Sequence, residues 1–571
     1  MNISTKKLIN IITILLLMSS CSTKESPSNP SQSDNSLKPN ILLIVADDMG
    51  YSDFGPFGGE IKTPNLQALA NSGLILSNYY TAPTCSPARS MIFSGNDNHV
   101  AGIGNMAEII PFTTNLQGKP GYEGHLNDQI VPFPMLLQEN GYHTYACGKW
   151  HLGHQEEERP YHKGFEETFM LLGGAASHWD DQKKHFARAN VAYSSNGQIV
   201  NPPKGFYSTL GYTNKLLGFL DKNKGDGKPF FGYLAFTAPH DPLHVPDDWV
   251  DRYKGKYDAG YDKLREERLS SLKEKGLIDN NVQLSKGLSS IEKWEDLSTE
   301  EKRIESKRME LYAAMVEYLD LQVGRVIEKL KETGQYSNTL VIFISDNGAN
   351  PQYMREYPGS SQAWVDSSFN NMYENLGKRG SGVATGPGWA QASMAPFKFF
   401  KTYTGEGGIK APCILSGYGV NPKAPINTQA LVHAMDIAPT VLELAGIQSP
   451  KTFNGNEVKP MLGKSMMPLL NGEAESIRTA NDYLGWELFG HRAIRKGDWK
   501  ILGVNYAPNT DPIWELYNIK NDPSESIDLS KKHPEKLKEL IKDWREYEKQ
   551  NGVIIPIFAD PKTLNADALH R

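Results

Sequence analysis

Two carboxylates, Asp47 and Asp48, follow directly on the apolar run Asn40-Ile41-Leu42-Leu43-Ile44-Val45-Ala46. Adjacent carboxylates repel each other, and ionising both is costly unless a cation or a proton compensates them. A second apolar run, Thr339–Ile344, leads in the same way into Ser345-Asp346-Asn347-Gly348. The two run ends together offer up to four hard oxygen donors, a set that suits calcium or magnesium better than zinc. Either pair alone reads as turn chemistry, since Asp-Asn-Gly is a common turn; the repetition of the arrangement points to a metal. A third cluster is Thr84-Cys85-Ser86-Pro87-Ala88-Arg89-Ser90. On a helix Arg89 lies about one turn from Cys85. Lys149 and His151 of Gly148-Lys149-Trp150-His151-Leu152-Gly153 are two apart, so on an extended segment both project from one face.

The stretch CSPARS at Cys85–Ser90, followed by Phe93-Ser94-Gly95, resembles the Cys-x-Pro-x-Arg signature of the type I sulfatase family, within the alkaline phosphatase superfamily. The resemblance runs through nearly all of residues 38 to 550. It includes GKWHLG at Gly148–Gly153, APHDPLH at Ala238–His244, SDNG at Ser345–Gly348 and EGGIKAP at Glu406–Pro412. Two segments resemble the bacterial arylsulfatase branch, GWAQASMAP at Gly388–Pro396 and KGKYDAGYDKLREERL at Lys254–Leu269.

The resemblance implies that a formylglycine-generating enzyme oxidises Cys85 to formylglycine (3-oxoalanine). A thiol or hydroxyl that attacks sulfur leaves a sulfated enzyme that water hydrolyses poorly. In a hydrated aldehyde one hydroxyl attacks and the other expels sulfate by reforming the carbonyl. One calcium ion is implied, held by Asp47, Asp48, Asp346, Asn347 and the modified Cys85, with Asp346 also the base for the nucleophile. Arg89 would hold the hydrated aldehyde, and Lys149 and His151 would face it and the sulfate, with His151 deprotonating the second hydroxyl. By the same resemblance His240 of APHDPLH and Lys401 of PFKFFKTYTGEGG bind sulfate oxygens and protonate the leaving oxygen. Lys398 stands where relatives often carry arginine and receives no role, and His99, His178 and His244 are expected to be structural.

These residues need a scaffold. Continuous apolar runs at Asn40–Ala46, Phe230–Phe236 and Thr339–Ile344 read as strands buried on both faces. Leu311–Leu330 carries apolar residues at helical spacing. Asp436 and Gly446 are the expected N-cap and C′ residues of a helix through Leu444. Alternating elements of this kind imply an α/β fold with a large, mainly parallel sheet covered by helices on both faces. Residues 251 to 308 read as a charged helical excursion near the substrate entrance. From about residue 450, short segments such as Ala493–Ile501 and Ile513–Ile519, then an amphipathic helix around Glu535–Glu546, read as a small antiparallel sheet with one helix. The expected division is a catalytic domain at 38–449 and a C-terminal subdomain at 450–571.

The chain has 571 residues and a formal net charge of −6. That charge gives no basic field for nucleic acid or a polyanionic surface. Lys6, Lys7 and the apolar run Leu8–Met18 read as a signal peptide over 1–20, too short to span a bilayer comfortably. Ser19-Ser20-Cys21 is similar to a lipoprotein cleavage site, so Cys21 is expected to carry lipid and residues 21–37 to form a flexible tether. The expected location is a bacterial cell envelope, with the membrane touched only through that anchor. Four cysteines, Cys21, Cys85, Cys147 and Cys413, are too few for a disulfide scaffold, and Cys147 and Cys413 read as buried apolar side chains. The expected substrate is a sulfated small molecule or a sulfated glycan. Two other readings remain open: a phosphoester or phosphonate hydrolase of the same superfamily, and an inactive cell-surface binding homologue.

Overall fold

The computed structural model describes residues 38–421, 427–505 and 511–559; the expected signal peptide, Cys21 and tether lie outside them. Four strands at the centre of the fold are the ones that matter for the site. They are β1 (Asn40–Asp47), β2 (His143–Lys149), β3 (Phe230–Pro239) and β4 (Thr339–Ser345). Every residue of all four is buried, which is why β1, β3 and β4 carry continuous apolar runs and not an alternating pattern; β2, HTYACGK, is buried without such a run. β1 lies between β4 and β3, β2 lies beyond β3, and all three pairings are parallel. Their carboxyl ends therefore open on a single edge, where ligands of open α/β sheets bind.

The sheet has ten strands. Several outer pairs depart from the parallel pattern: Cys413–Gly417 runs antiparallel to β4 and to Gly73–Leu76, and Glu167–Leu171, Tyr193–Ser195 and Gln198–Val200 are antiparallel to one another on the other side. The sheet is thus parallel at its core and mixed at its margins. The β1–β3 register shifts between Val45 and Asp47: Val45 faces Ala235, but Asp47 faces Pro239. The extra β3 residues carry the chain forward so that His240 follows beside the β1 carboxylates.

Helix Thr299–Glu332 spans 34 residues and begins well before the apolar periodicity, because Ser298 and Glu301 form a capping box. Ala445 ends a helix that starts at Ile437, and Gly446 closes it in the left-handed conformation. Asp436 sits at the start of that helix, but its carboxylate accepts from the amides of His433 and Lys464 and from Arg478, not from the helix itself. Residues 251 to 308 form one helix, Tyr261–Glu274, then largely irregular chain before the long helix begins. They pack on Trp389 through Tyr257, Tyr261 and Trp294, and none of them lines the cleft described below. The expectation that they border the substrate entrance is therefore not met. Among the described residues no helix is long and apolar enough to cross a membrane.

A four-stranded antiparallel sheet, Tyr483–Leu488, His491–Lys496, Trp499–Val504 and Ile513–Asn518, carries helix Pro534–Asn551. The segment Ala493–Ile501 is two strands, not one, because Gly497 turns the chain with φ 56°. This sheet is tied to the large one by buried polar groups. Trp486 Nε1 donates to the Thr81 carbonyl at 2.9 Å, and Glu406 of the EGGIKAP segment accepts from Lys500 at 2.9 Å and from the Tyr80 hydroxyl. His99 Nδ1 lies 2.7 Å from Asp97 Oδ1, its Nε2 3.4 Å from Glu487, and Tyr547 donates to Asp97 Oδ2 at 2.7 Å.

Burial disfavours the charged form of His99, but Asp97 and Glu487 outweigh it and hold the imidazole pKa up at about 9. A histidine whose folded pKa exceeds its unfolded value of about 6.5 stabilises fully below that value and loses the contribution as pH rises through the folded one. The His99 contribution to stability should therefore fall by on the order of 3 kcal/mol between pH 6.5 and 9, so the pH slope of His99→Gln should be less steep than that of the wild type by this amount. Denaturant unfolding of both proteins across this range checks it; identical slopes would remove His99 from the account.

Candidate active site

At the mouth of the sheet, the last residue of β1 and the one after it supply two buried carboxylates. Asp48 adopts φ 64°, a left-handed conformation that aspartate tolerates better than most residues, and so turns its side chain back toward the strand ends. Lys149, the last residue of β2, places Nζ 2.9 and 2.8 Å from the two oxygens of Asp47. Lys401 places Nζ 2.8 Å from Asp48 Oδ2. It is carried by a loop pinned at both sides, by its own amide to the Ala349 carbonyl and by the Thr402 amide to the Pro83 carbonyl.

Helix α1 (Cys85–Ser94) points its first residue at these groups. Cys85 Sγ is 3.4 Å from Asp47 Oδ1 and 3.7 Å from Asp48 Oδ1. One turn on, Arg89 is wholly buried; Nε and Nη2 donate to Asp346 Oδ2 at 3.1 and 2.7 Å, and Nη1 donates to the Lys149 carbonyl and the Tyr233 hydroxyl, both at 3.1 Å. Asp346, just past β4, also accepts the Asp48 amide on Oδ1 at 3.2 Å. Asn347 donates to Asp48 Oδ1 at 2.6 Å, while its own Oδ1 is buried with no partner. Four strand ends and one helix start thus meet around a single point.

The electrostatics follow from burial opposed by opposite charge. Burial works against the charged forms of Asp47, Lys149 and Lys401. Even so, Lys149 holds Asp47 below the usual carboxylate range, Asp47 holds Lys149 up, and Asp48 lifts Lys401 well above an ordinary lysine. The Cys85 thiol is pushed up by burial, which outweighs the opposing pull of Lys149 and Lys401 and is joined by Asp47 and Asp48. An unmodified thiol here stays protonated and is a poor nucleophile.

The strand-ending segment of β2 needs its glycine. Gly148 has φ 122°, and a Cβ there would lie 1.7 Å from the Ala235 carbonyl oxygen of β3. Beyond Lys149 the chain leaves the sheet, and His151 takes φ 58°. Lys149 and His151 therefore do not project from one extended face as the spacing alone suggests: Lys149 turns inward to Asp47, whereas His151 Nε2 reaches Glu108 Oε1 at 2.8 Å. His240, after β3, puts Nε2 3.3 Å from Asp48 Oδ2 and Nδ1 2.9 Å from Asp241 Oδ1. Asp48 holds its pKa up against the burial penalty. Asp241 also accepts from Asn350 at 2.9 Å and from the Tyr357 hydroxyl.

Cys85, Lys149, His151, His240 and Lys401 line one cleft. Asp47, Asp48, Cys85 and His240 bring potential ligand atoms within 4.8 Å of one another. Asp346 stands to one side of that group, engaged by Arg89. The outer walls hold residues that no motif flagged: Met106, Glu108, Ile109, His185, Phe186, Tyr357 and Phe489. Phe489 comes from the tip of the first C-terminal hairpin, so the small sheet builds part of the cleft. Only Asp241 had a local signal, its place inside APHDPLH. His178 and His244 are structural: His178 bonds Ser208 and the His240 carbonyl, and His244 bonds the Ser381 carbonyl. Lys398 pairs with Glu515 outside the cleft. Cys147 and Cys413 are buried free thiols.

Comparison with known proteins fits this geometry. Residues 39–447 match the family model described as Sulfatase, and residues 397–550 match the model for the C-terminal region of N-sulphoglucosamine sulphohydrolase. The chain is 44% identical to an uncharacterized sulfatase of Schizosaccharomyces pombe over 91% of this chain and 95% of that one. It is 39% identical to an arylsulfatase of Klebsiella aerogenes over 77% and 94% respectively. The crystal structure of Ps i-CgsB in complex with k-i-k-neocarrahexaose superposes with a TM-score of 0.63 at 26% identity, covering 94% of this chain and 98% of that one. The chain belongs to the sulfatase family and is a sulfuric ester hydrolase.

Proposed function

We propose that sulfate esters are hydrolysed here by Cys85 after its oxidation to formylglycine, beside one calcium ion held by Asp47, Asp48, Asp346 and Asn347. The observation that carries this reading is the charge balance of the cup. Three buried carboxylates, Asp47, Asp48 and Asp346, are matched by three buried cations, Arg89, Lys149 and Lys401. A sulfate ester is itself anionic, so it meets no surplus positive charge from these groups; a divalent cation supplies it. The residues present fit such an ion: hard oxygen donors from two adjacent strand ends, and the buried Asn347 Oδ1 that no protein group satisfies. When bound, the ion would polarise a sulfate oxygen and favour ionisation of the nucleophile.

The chain's own groups then divide the work. Arg89, locked on Asp346, holds the side chain at position 85 in place. Lys149 and Lys401 exchange part of their contact with Asp47 and Asp48 for sulfate oxygens. His240, fixed by Asp241, donates a proton to the leaving oxygen, and His151 removes one from the side chain at 85. A protonated, unmodified thiol has no comparable role, which supports maturation by a formylglycine-generating enzyme.

For the substrate, the walls formed by Met106, Ile109, Phe186, Tyr357 and Phe489 favour a flat or apolar ring behind the sulfated oxygen, and the likeness to an arylsulfatase agrees. A sulfated glycan is the second reading, on the likeness to a structure solved with a neocarrahexaose. A phosphoester hydrolase would be supported by zinc instead of calcium in the purified protein. We further propose export, lipidation at Cys21, and the 38–449 and 450–571 division, all on the sequence grounds given above.

Three outcomes test this. Mass spectrometry of the peptide holding Cys85, from protein made in a host with a maturing enzyme, should show the aldehyde; a full complement of cysteine with full activity would contradict the proposal. Cys85→Ala should abolish sulfate release from an aryl sulfate. Arg89→Ala leaves Asp346 buried without its cation and should cost about 3–5 kcal/mol of stability along with activity, read by denaturant unfolding; a stability change below about 1 kcal/mol would show that the pair is not isolated from solvent as described.

A further inference from the structure

His151 is held by more than its place in a motif. Its backbone stays in the left-handed region at φ 58°, a conformation that persists in a residue with a side chain only where the surroundings enforce it. Its amide donates to the Leu172 carbonyl at 3.1 Å. The imidazole lies in a notch at Gly174: a Cβ there would come 2.7 Å from Cε1 and 2.9 Å from Nε2. Nε2 meets Glu108 Oε1 at 2.8 Å, and Nδ1 is buried with no partner. Three separate features, a forced backbone, a glycine notch and a carboxylate, thus fix one ring.

The charges around it select a protonation state. Against the burial penalty, His151 keeps Glu108 ionised, with its pKa down at about 2. Burial, then Lys149 and Arg89, lower the pKa of His151, and Glu108 opposes them; His154 also acts on Glu108. An ionised carboxylate only accepts, so the proton of a neutral ring sits on Nε2 and the lone pair on Nδ1.

We infer that Glu108 and Gly174 are positioning residues that hold His151 as its Nε2–H tautomer, with Nδ1 as the nitrogen open to the reacting group at position 85. The inference rests on the proposed role of His151 as a base. In that role Nδ1 takes up one proton from the side chain at 85, the imidazolium so formed is balanced by the Glu108 carboxylate, and the proton passes to water before the next turnover.

The test uses the full chain, matured and calcium-loaded, with 4-nitrophenyl sulfate, and formylglycine content measured in every variant so that lost maturation is not read as lost catalysis. Glu108→Ala should lower kcat by about 100-fold and change KM by less than about threefold. Glu108→Gln keeps an acceptor for Nε2–H, so it should recover much of kcat. It removes the charge that raises the His151 pKa, so the acid limb of its kcat/KM profile should move to lower pH. Gly174→Ala should lower kcat without moving that limb upward. A Glu108→Ala enzyme with kcat within about threefold of wild type, a loss confined to KM, or a Glu108→Gln profile that coincides with wild type would each overturn the inference. Should Glu108→Ala fail to fold, the Glu108→Gln limb decides. A fully active His151→Asn enzyme would instead refute the base assignment itself, so the two failures are distinguishable.

Discussion

Two carboxylates on consecutive residues, buried at the end of the most central strand, are the constraint from which the site is built. Left alone, Asp47 and Asp48 would repel each other and carry a large desolvation penalty. The fold answers by bringing a cation to each, Lys149 from the end of β2 and Lys401 from a pinned loop, and by placing His240 against Asp48. Asp346, from the neighbouring strand, is answered in turn by Arg89. The parallel order of four adjacent strands makes this possible, because only then do all the strand ends face one edge.

That balance has a functional side. A site neutral in itself does not hold substrate through bulk attraction, and the chain's net charge of −6 gives none. On the proposed reading, affinity and catalysis come from exchange: sulfate oxygens would replace carboxylates at the lysines while a divalent ion would take the carboxylates. Preorganised charges in a buried cup act at low dielectric and need little reorganisation as charge develops. Strain gathers at the same place, with left-handed backbones at Asp48, His151, Phe399 and Thr402, as expected where surrounding structure dictates side-chain aim.

Three of the four central strands, and the carboxylates at the ends of β1 and β4, were legible in the sequence because an apolar run followed by polar residues is a local pattern; β2, with His143, Thr144 and Lys149 among its residues, carries no such run and was not read as a strand. The C-terminal sheet was legible in type but not in its strand division, since one glycine, Gly497, splits a segment that composition alone reads as continuous. The 251–308 stretch was misread because its charge suggested an exposed rim, whereas its aromatic residues pack on Trp389. The cleft walls were not legible at all. Glu108 meets His151 across 43 residues of chain, and Phe489 arrives from a different sheet; neither carries a local signal, and tertiary approach alone gives them meaning. The expectation of one face for Lys149 and His151 failed because a left-handed residue breaks the strand geometry on which the two-residue period depends.

The most direct measurement is anomalous X-ray scattering from crystals of the matured protein, with peaks identified by element. The account requires a single calcium ion bounded by Asp47, Asp48, Asp346 and Asn347, next to an oxidised side chain at position 85. Two zinc ions in the cleft, or full activity in crystals whose strand ends hold no metal, would contradict it.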